Sequence, residues 1–256
     1  MPTLDSTHRT AIVAALHDEL ASVLALMPDE HKQTVAGRDF WVGHWHGREV
    51  VAVLSGIGKV AAATTATLLI ERFGVQRMVF TGVAGGLGHG VRVGDVVVAE
   101  ALLQHDMDAS PLFPRHEMPG YGRSRFDTDR SFTEQLAVAA SAALGEAEHF
   151  LDRETRAAFD LKTPQLHRGL IVSGDRFVST ASECVALQRE LPDALAVEME
   201  GAAFAQVCCD FGVPLAVVRT ISDRADDAAH VDFSRFLSQV ASQYSTAILD
   251  RLFRAC

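Results

Sequence analysis

The segment MVFTGVAGGLG, residues 78–88, joins an apolar run of strand length to a glycine-rich turn. The stretch Val60–Phe73 precedes it with small and apolar residues at helical spacing, and Gly74 stands where a helix C-cap falls. Helix, apolar strand and glycine turn in this order are typical of α/β proteins, whose strands are covered by helices on both faces. The segment therefore predicts a helix over 60–73 that leads into a buried strand over 78–81.

Apolar runs of similar length recur along the chain, with helical stretches between them. They are Ala11–Ala15, Val50–Leu54, Met78–Thr81, Asp95–Ala99, Gly169–Val172, Ala194–Val197 and Leu215–Thr220. Several are apolar at nearly every position, as expected of strands buried on both faces. The predicted fold is α/β, with three α/β/α layers around a central mixed, largely parallel sheet, in one domain over residues 1–256.

Three further segments have helical character. Glu200–Phe211 is followed by Gly212 and Pro214, which end helices, and Phe233–Phe253 is amphipathic over its whole length. The polar stretch Ala142–Thr163 indicates a solvated helix and a connector. We therefore expect one closing helix at the end of the chain and one exposed helix in its middle.

The formal net charge of -10 at pH 7 comes without a cluster of Lys and Arg, which argues against a phosphate-backbone interface. No apolar run approaches the roughly 18–20 residues that span a bilayer, and the first ten residues lack the apolar core of a signal peptide. We expect a cytoplasmic protein that binds neither nucleic acid nor membrane.

The cysteines and histidines give little sign of a metal. Cys184, Cys208, Cys209 and Cys256 form no C-x-x-C pair and read as reduced, mostly buried thiols. His44 and His46 share one face of a predicted strand, but two imidazoles without a third ligand are weak grounds for a site. We expect neither a metal nor a cofactor.

Two glycine-rich segments and one long loop are candidates for ligand binding. Residues 55–59 (SGIGK) lack the Ser or Thr that follows the lysine of a phosphate loop, and the glycines of 81–88 do not fall on G-x-G-x-x-G. Both segments follow apolar strands, where α/β sheets place ligand crevices, although tight turns alone would explain them equally well. The prolines and glycines of Asp106–Arg125 forbid a regular helix and predict a long ordered loop.

Carboxylates follow three of the predicted strands. Glu19 comes after the first strand, Glu198 and Glu200 come at the end of Ala194–Val197, and Asp223 ends the last one. Each alone is most simply a helix-capping or first-turn residue. Together at one edge of a sheet, they suit N-glycosidic cleavage, in which the leaving base needs a proton and the sugar becomes cationic.

The chain resembles the 5′-methylthioadenosine/S-adenosylhomocysteine nucleosidases of the purine nucleoside phosphorylase-like superfamily, over almost its full length. The matching stretches are Ala14–Glu19, Ser55–Ala62, Thr81–Leu87, Val93–Asp95, His105–Asp106, Ser173–Asp175, Val197–Ala202 and Arg219–Asp223. The resemblance implies the nucleoside phosphorylase-like fold and release of adenine by water.

The resemblance also implies the roles of the carboxylates. Asp223, held by Ser222, would protonate adenine N7 and so must hold or share a proton near neutral pH. Glu19 would activate the hydrolytic water and so must be ionised. Glu200 would accept the ribose hydroxyls and oppose the ribosyl cation, with Glu198 in the same group of substrate-binding residues.

The remaining contacts that the resemblance implies surround the nucleoside. Met199 would pack on the sugar, Phe177 would stack on the purine, and the backbone of Val178 would read the purine edge. The residues expected near the ribose and water are Ala84, Gly85 and Ile57.

Hydrolysis has two enzymatic alternatives and one of another class. A hexameric phosphorylase has Arg and Ser where this chain has Phe80 and Val83, neither of which binds an anion by its side chain. Val83 also departs from nucleosidases that carry Ser there. A futalosine-type nucleosidase would use the same three carboxylates, and a nonenzymatic nucleoside-binding protein would not need them.

The resemblance further implies a homodimer in which residues 106–125 of one subunit complete the 5′-substituent pocket of its neighbour. In this chain the run 108–114 (DASPLFP) differs from the aromatic-rich segment of many relatives. The expected ligands are an adenine nucleoside and water, and the identity of the 5′ group depends on this loop.

Overall fold

The computed structural model describes residues 9–224 and 233–254, and these residues form an eleven-stranded mixed sheet with helices on both faces. The strands are β1 (Thr10–Ala14), β2 (His31–Val35), β3 (Arg38–Trp45), β4 (Arg48–Leu54), β5 (Arg77–Phe80), β6 (Val83–Gly86), β7 (Val96–Gln104), β8 (Arg125–Asp127), β9 (Leu166–Ser173), β10 (Ala194–Glu198) and β11 (Leu215–Asp223).

The helices alternate with these strands. They are α1 (His17–Leu24), α2 (Lys59–Glu71), α3 (Arg130–Gly145), a 3₁₀ turn (Ala147–His149), α4 (Arg153–Ala158), α5 (Ala181–Glu190), α6 (Gly201–Phe211), α7 (Phe233–Phe236), a π-helical segment (Leu237–Ala241) and α8 (Ser242–Arg254). None of the helices in the described part of the chain is long and apolar enough to cross a membrane.

The strand order is β2-β3-β4-β1-β5-β11-β6-β10-β9-β7-β8. β1 lies parallel to β4 and β5, and β11 continues the parallel arrangement to β5 and β6. β7 pairs in addition antiparallel to β11, so that β11, β6, β10, β9 and β7 close into a small barrel. The carboxyl ends of the parallel strands β1 and β4 lie at the same edge. The end of β10 reaches the end of β11 through β6, because Gly85 pairs with both Val197 and Asp223, although β10 runs antiparallel to β6.

Two apolar cores lie on opposite faces of the sheet. One is formed with α1, α3 and α8, and includes Leu20, Leu136 and Ile248. The other is formed with α2 and α6, and includes Leu69 and Phe204. The three-layer α/β/α arrangement predicted from the apolar runs is confirmed.

All seven strands predicted from the apolar runs are present, and the structure adds β2, β3, β6 and β8. The strand predicted to carry both His44 and His46 is β3, which ends at Trp45, so His46 lies in the turn that follows. β2 (HKQTV) is an exposed edge strand and β6 (VAGG) is mostly glycine and alanine, so neither carries the apolar signal of a buried strand. Their pairing depends on neighbours distant in sequence.

The exposed helix predicted within residues 142–163 is the short α4 (Arg153–Ala158), in which only Thr155 is buried, but the longer helix before it was not predicted. The helix α3 begins at Arg130, capped by the Asp129 side chain, which accepts from the Phe132 N–H at 2.8 Å, and it ends at Gly145. Its alanine-rich sequence buries one face against the sheet. The prediction rested on the polar residues that follow this helix and therefore missed the helix itself. The predicted helices over 60–73, 200–211 and 233–253 are confirmed, the last with a π-helical segment inside it.

The other predictions on loops and thiols have mixed outcomes. Residues 106–125 contain turns and a single bridge between Met118 and Arg123, with no regular helix, as predicted. Cys184 and Cys208 are buried, whereas Cys209 is exposed. Cys256 and the first eight residues lie outside the described residues.

Candidate active site

A cavity of about 170 Å³ opens at the edge where the parallel strands end. Ten of the residues proposed from the sequence line it, namely Ile57, Ala84, Gly85, Phe177, Val178, Glu198, Met199, Glu200, Ser222 and Asp223. The lining also includes Ala15, Leu16, Val83, Arg176, Val197 and Phe233. Residues from seven separate segments thus meet at one place, as the two glycine segments and the strand-end carboxylates indicated.

Asp223 is the last residue of β11. The pairing of β11 with β6 shifts register between Ile221 and Asp223, which brings Asp223 opposite Gly85. The carboxyl is 7% exposed, and Ser222 Oγ donates a hydrogen bond to Asp223 Oδ2 at 2.7 Å. This short contact holds an acidic group at the cavity wall beside the glycine segment.

Glu200 directly precedes α6 and lines the same cavity as Asp223. Its carboxyl is buried, and the Gly58 N–H donates to Glu200 Oε1 at 2.8 Å. Burial and the neighbouring charge of Glu198 raise the pKa of Glu200 to about 7, although the Gly58 N–H opposes that rise. The group is therefore poised between its neutral and charged forms near neutral pH.

Glu198 has a different environment from the one expected for a substrate ligand. Its carboxylate pairs with the buried guanidinium of Arg219 at 2.8 Å and accepts the N–H of Gly201 at 2.9 Å. The Ser173 hydroxyl also donates to it. Both carboxylate oxygens are thus occupied by protein donors, so the side chain supports the site and does not offer a free acceptor to the cavity.

Arg219 belongs to the matching stretch Arg219–Asp223, but no role was predicted for it. It is 1% exposed, follows four apolar residues in β11, and stacks over the Phe80 ring with 4.1 Å between the guanidinium carbon and the ring centroid. A cation at the centre of an apolar strand needs a buried carboxylate partner, and this signal was available from residues 215–221 alone.

Glu19 lies in the first turn of α1, not at a strand end, and does not itself line the cavity. It is fully buried behind Ala15 and Leu16, which do line it, and Oε2 accepts the Leu16 N–H at 3.3 Å. Oε1 is buried without a hydrogen-bond partner among the described residues.

The ionisation of Glu19 follows from this position. Burial raises the pKa of Glu19 to about 7, and the positive charge of Arg219 and the backbone N–H groups at Leu16 and Ala15 oppose that rise. A base with a pKa near the working pH combines a useful charged fraction with useful proton affinity.

Phe177 and Val178 follow β9 and form the wall near Asp223. Phe177 is 42% exposed and Val178 is buried, as suits a ring that covers a ligand and a backbone that contacts it. Thr180 caps α5 by accepting the Glu183 N–H at 3.3 Å, and this fixes the end of the segment.

The two histidines that were weighed as metal ligands lie elsewhere. His44 pairs with Asp29 at 2.7 Å and His46 pairs with Asp250 at 2.8 Å. Among residues 9–224 and 233–254 no group of three potential ligands is close enough to hold a metal ion.

Comparison with known proteins places the chain in a class defined by this fold and site. The model of the phosphorylase superfamily matches residues 9–254. A 5′-methylthioadenosine/S-adenosylhomocysteine nucleosidase of Shewanella baltica is 34% identical over 241 residues, which are 94% of each chain.

Solved structures give the same result. The Neisseria meningitidis 5′-methylthioadenosine/S-adenosylhomocysteine nucleosidase in complex with methylthio-immucillin-A has a TM-score of 0.84 and 30% identity, covering 97% of this chain and 99% of that one. A futalosine hydrolase of Helicobacter pylori has a TM-score of 0.83 and 33% identity over 98% and 99%. The chain belongs to the 5′-methylthioadenosine/S-adenosylhomocysteine nucleosidase family of the phosphorylase superfamily.

Proposed function

We propose that this chain hydrolyses the N-glycosidic bond of 5′-methylthioadenosine and S-adenosylhomocysteine and releases adenine. The observation that carries the proposal is one cavity with buried Asp223 and Glu200 on its wall and Glu19 buried directly behind it. The names of the related nucleosidases support the choice of nucleoside.

Asp223 acts on the leaving base. The purine stacks on Phe177 with its edge toward the Val178 backbone, so that adenine N7 faces the Asp223 carboxyl. A proton delivered to N7 removes the negative charge that the departing base would otherwise carry. Ser222 orients the acid by its 2.7 Å hydrogen bond.

Glu200 and Met199 hold the ribose. The Glu200 carboxylate accepts the sugar hydroxyls, and its charge stabilises the oxocarbenium-like ring more than the neutral substrate. Its Oε2 carries that contact, because Oε1 accepts the Gly58 N–H.

Glu19 activates water, which attacks the anomeric carbon from the face opposite the base. The partnerless Oε1 is the acceptor for that water proton, and the pKa of about 7 fits the task. Arg219 lies close enough to oppose the burial effect on both Glu19 and Glu200, so it tunes the base and the sugar ligand together.

The lining gives no support to phosphorolysis. Phe80 is fully buried under Arg219, and Val83 on the cavity wall has no polar side-chain atom. The guanidinium of Arg219 is committed to Glu198, and Arg176 is exposed and paired with Glu183. Water is therefore the nucleophile that these residues accommodate.

A second candidate substrate is a futalosine-type nucleoside, and a specific observation favours testing it. The futalosine hydrolase of Helicobacter pylori is as similar to this chain as the methylthioadenosine nucleosidases are. The catalytic carboxylates serve either substrate, and only the 5′ pocket distinguishes them.

We propose further that the protein is a cytoplasmic homodimer in which residues 106–125 complete the neighbouring subunit's 5′ pocket. The exposed apolar side chains Ile57, Val60 and Leu112 support this, since they are 66%, 79% and 83% exposed and Ile57 lines the cavity. Burial against a second copy would remove that apolar area from water.

The experiment is an adenine-release assay in phosphate-free buffer with methylthioadenosine, S-adenosylhomocysteine and aminodeoxyfutalosine. We expect kcat/KM for the first two to exceed that for the third. Preference for aminodeoxyfutalosine moves the assignment to the second candidate, and no release from any of the three overturns it.

A further inference from the structure

Two segments that line the cavity, one with Ile57 and one with Phe177, are joined at a carboxylate outside it, that of Asp106. Asp106 Oδ1 accepts the Lys59 ammonium at 2.5 Å, and Oδ2 accepts the Asp175 N–H at 2.9 Å. The segment that bears Asp106 is held in turn, because the His105 N–H donates to Ser173 O at 2.9 Å. Asp106 thus joins the glycine segment 55–59 to the segment that leads to Phe177.

The beginning of α2 explains why this junction matters. The N-cap of α2 is Gly58, which has φ +90° and no side chain to cap the helix. Asp175 supplies the cap from another segment, because its Oδ1 accepts the Lys59 N–H at 2.7 Å. A Cβ on Gly58 would lie 3.0 Å from that same oxygen, so the two segments fit only with glycine.

The backbone N–H of the preceding residue at this helix end binds a carboxylate that lines the cavity. The Gly58 N–H donates to Glu200 Oε1 at 2.8 Å, so two adjacent backbone donors hold two carboxylates, Glu200 and Asp175. A shift of residues 58–59 would therefore move the donor of Glu200. Lys59 is the residue whose main chain binds Asp175 and whose side chain binds Asp106.

The ammonium of Lys59 is largely covered, with 17% of its side chain exposed. Burial would raise the pKa of Asp106, but the hydrogen bonds from Lys59 and the Asp175 N–H and the charge of Lys59 outweigh it and hold that pKa below its usual value. The Asp106 carboxyl is therefore held in its charged form, and a hydrogen bond to a carboxylate is stronger than one between neutral groups.

We propose that Asp106 and Lys59 are positioning residues for Glu200: their ion pair fixes the start of α2 so that the Gly58 N–H meets the sugar-binding carboxylate. The proposal rests on the proposed function, because it takes Glu200 as the ribose ligand. It also links the first residue of the 106–125 loop to Glu200, through Lys59 and the Gly58 N–H.

The direction in which the pKa of Glu200 shifts distinguishes a positioning role of Asp106 from a purely electrostatic effect of its charge. Glu200 faces Glu198, Arg219 and the N-terminus of α2, and the Gly58 N–H lowers its pKa. Asp106→Asn removes a negative charge, which through space would lower the pKa of any nearby carboxyl. Loss of the Gly58 hydrogen bond would raise the pKa of Glu200 instead.

The test compares the wild type with Asp106→Asn, Lys59→Met and the double variant. Both oxygens of Asp106 face donors, so an amide at this position must turn its NH2 toward one of them. Asp175→Asn is the matched electrostatic control, since it also removes one negative charge but can keep its oxygen on the Lys59 N–H. Asp193→Asn, in the exposed pair with Arg125, controls for the substitution itself and keeps wild-type activity.

In Asp106→Asn we expect kcat to fall about tenfold and the acidic limb of the kcat profile to move up by about 0.5–1 pH unit. The double variant should lie within about twofold of Asp106→Asn, because the two residues act as one unit. In Asp175→Asn the acidic limb of the kcat profile should not move to higher pH.

An acidic limb that moves down or stays in place in Asp106→Asn, or effects that add in the double variant, would overturn the proposal. If Asp106→Asn does not fold, Lys59→Met decides the matter alone, since wild-type kcat and pH profile in that variant contradict positioning. Wild-type protein that releases no adenine would count against the proposed function, whereas active wild type with unaffected variants counts against this inference only.

Discussion

Replacing Arg219 by methionine should cost more stability than any other single change in the site. The guanidinium is 1% exposed, pairs with Glu198 at 2.8 Å, donates to Phe80 O at 3.1 Å and lies over the Phe80 ring. Methionine keeps much of the apolar packing but leaves the Glu198 carboxylate buried without its counter-charge. Breaking a buried ion pair in this way costs about 3–5 kcal/mol.

That loss corresponds to a fall in Tm of about 6–20 °C, because a chain of this size loses roughly 2–4 °C per kcal/mol. The assay is urea unfolding of the ligand-free protein at pH 7, followed by circular dichroism at fixed protein concentration. The matched variant is Arg219→Met combined with Glu198→Gln, in which the amide oxygen can still accept the Gly201 N–H.

The double variant should regain at least about 2 kcal/mol, because it no longer buries an uncompensated charge. In Arg219→Met the acidic limb of kcat/KM should also move to higher pH, since Arg219 lowers the pKa of both Glu19 and Glu200. A loss below about 1 kcal/mol, or a double variant no more stable than the single one, would refute the reasoning.

Three further predictions concern the cavity itself. Asp223→Asn should lower kcat by about two or more orders of magnitude while adenine-nucleoside binding by calorimetry persists; near-wild-type turnover would contradict its role as the acid. Burial raises the folded-state pKa of Glu19 from 4.5 to about 7, so its stabilising effect is complete below pH 4.5 and lost as pH rises through 7. The free energy of unfolding should consequently fall from pH 5 to pH 8, and Glu19→Gln should flatten that slope; an unchanged slope would argue against the shift. Gly58→Ala should destabilise by about 1–3 kcal/mol in urea unfolding and lower kcat, whereas Gly145→Ala, where a Cβ meets open space, should do neither.

The sequence predicted the parts of the fold that carry a local signal. Runs such as Val50–Leu54 and Ala11–Ala15 are apolar at every position and were recognisable as buried strands. β6 is four small residues, and it becomes a strand only because β10 and β11 lie on either side of it. Pairing of that kind depends on the tertiary fold and not on side-chain pattern.

The site shows the same division. Glu200 and Asp223 were identifiable as cavity residues because they lie at or just after strand ends and match a family motif, whereas Glu19 stands in a family motif but lies in α1. The pairing of Glu198 with Arg219 joins residues 21 positions apart in sequence and appears only once β10 and β11 lie near each other. The contact of Asp106 with Lys59, 47 positions apart, was equally beyond reach, although both residues stood in the quoted motifs.

The most direct measurement for hydrolysis by the three carboxylates is multiple-turnover adenine release from methylthioadenosine in phosphate-free buffer, with the sugar product identified by mass. The mechanism predicts continued turnover, a product with the mass of methylthioribose, and no acceleration when phosphate is added. Turnover that requires phosphate and yields the sugar 1-phosphate would contradict it.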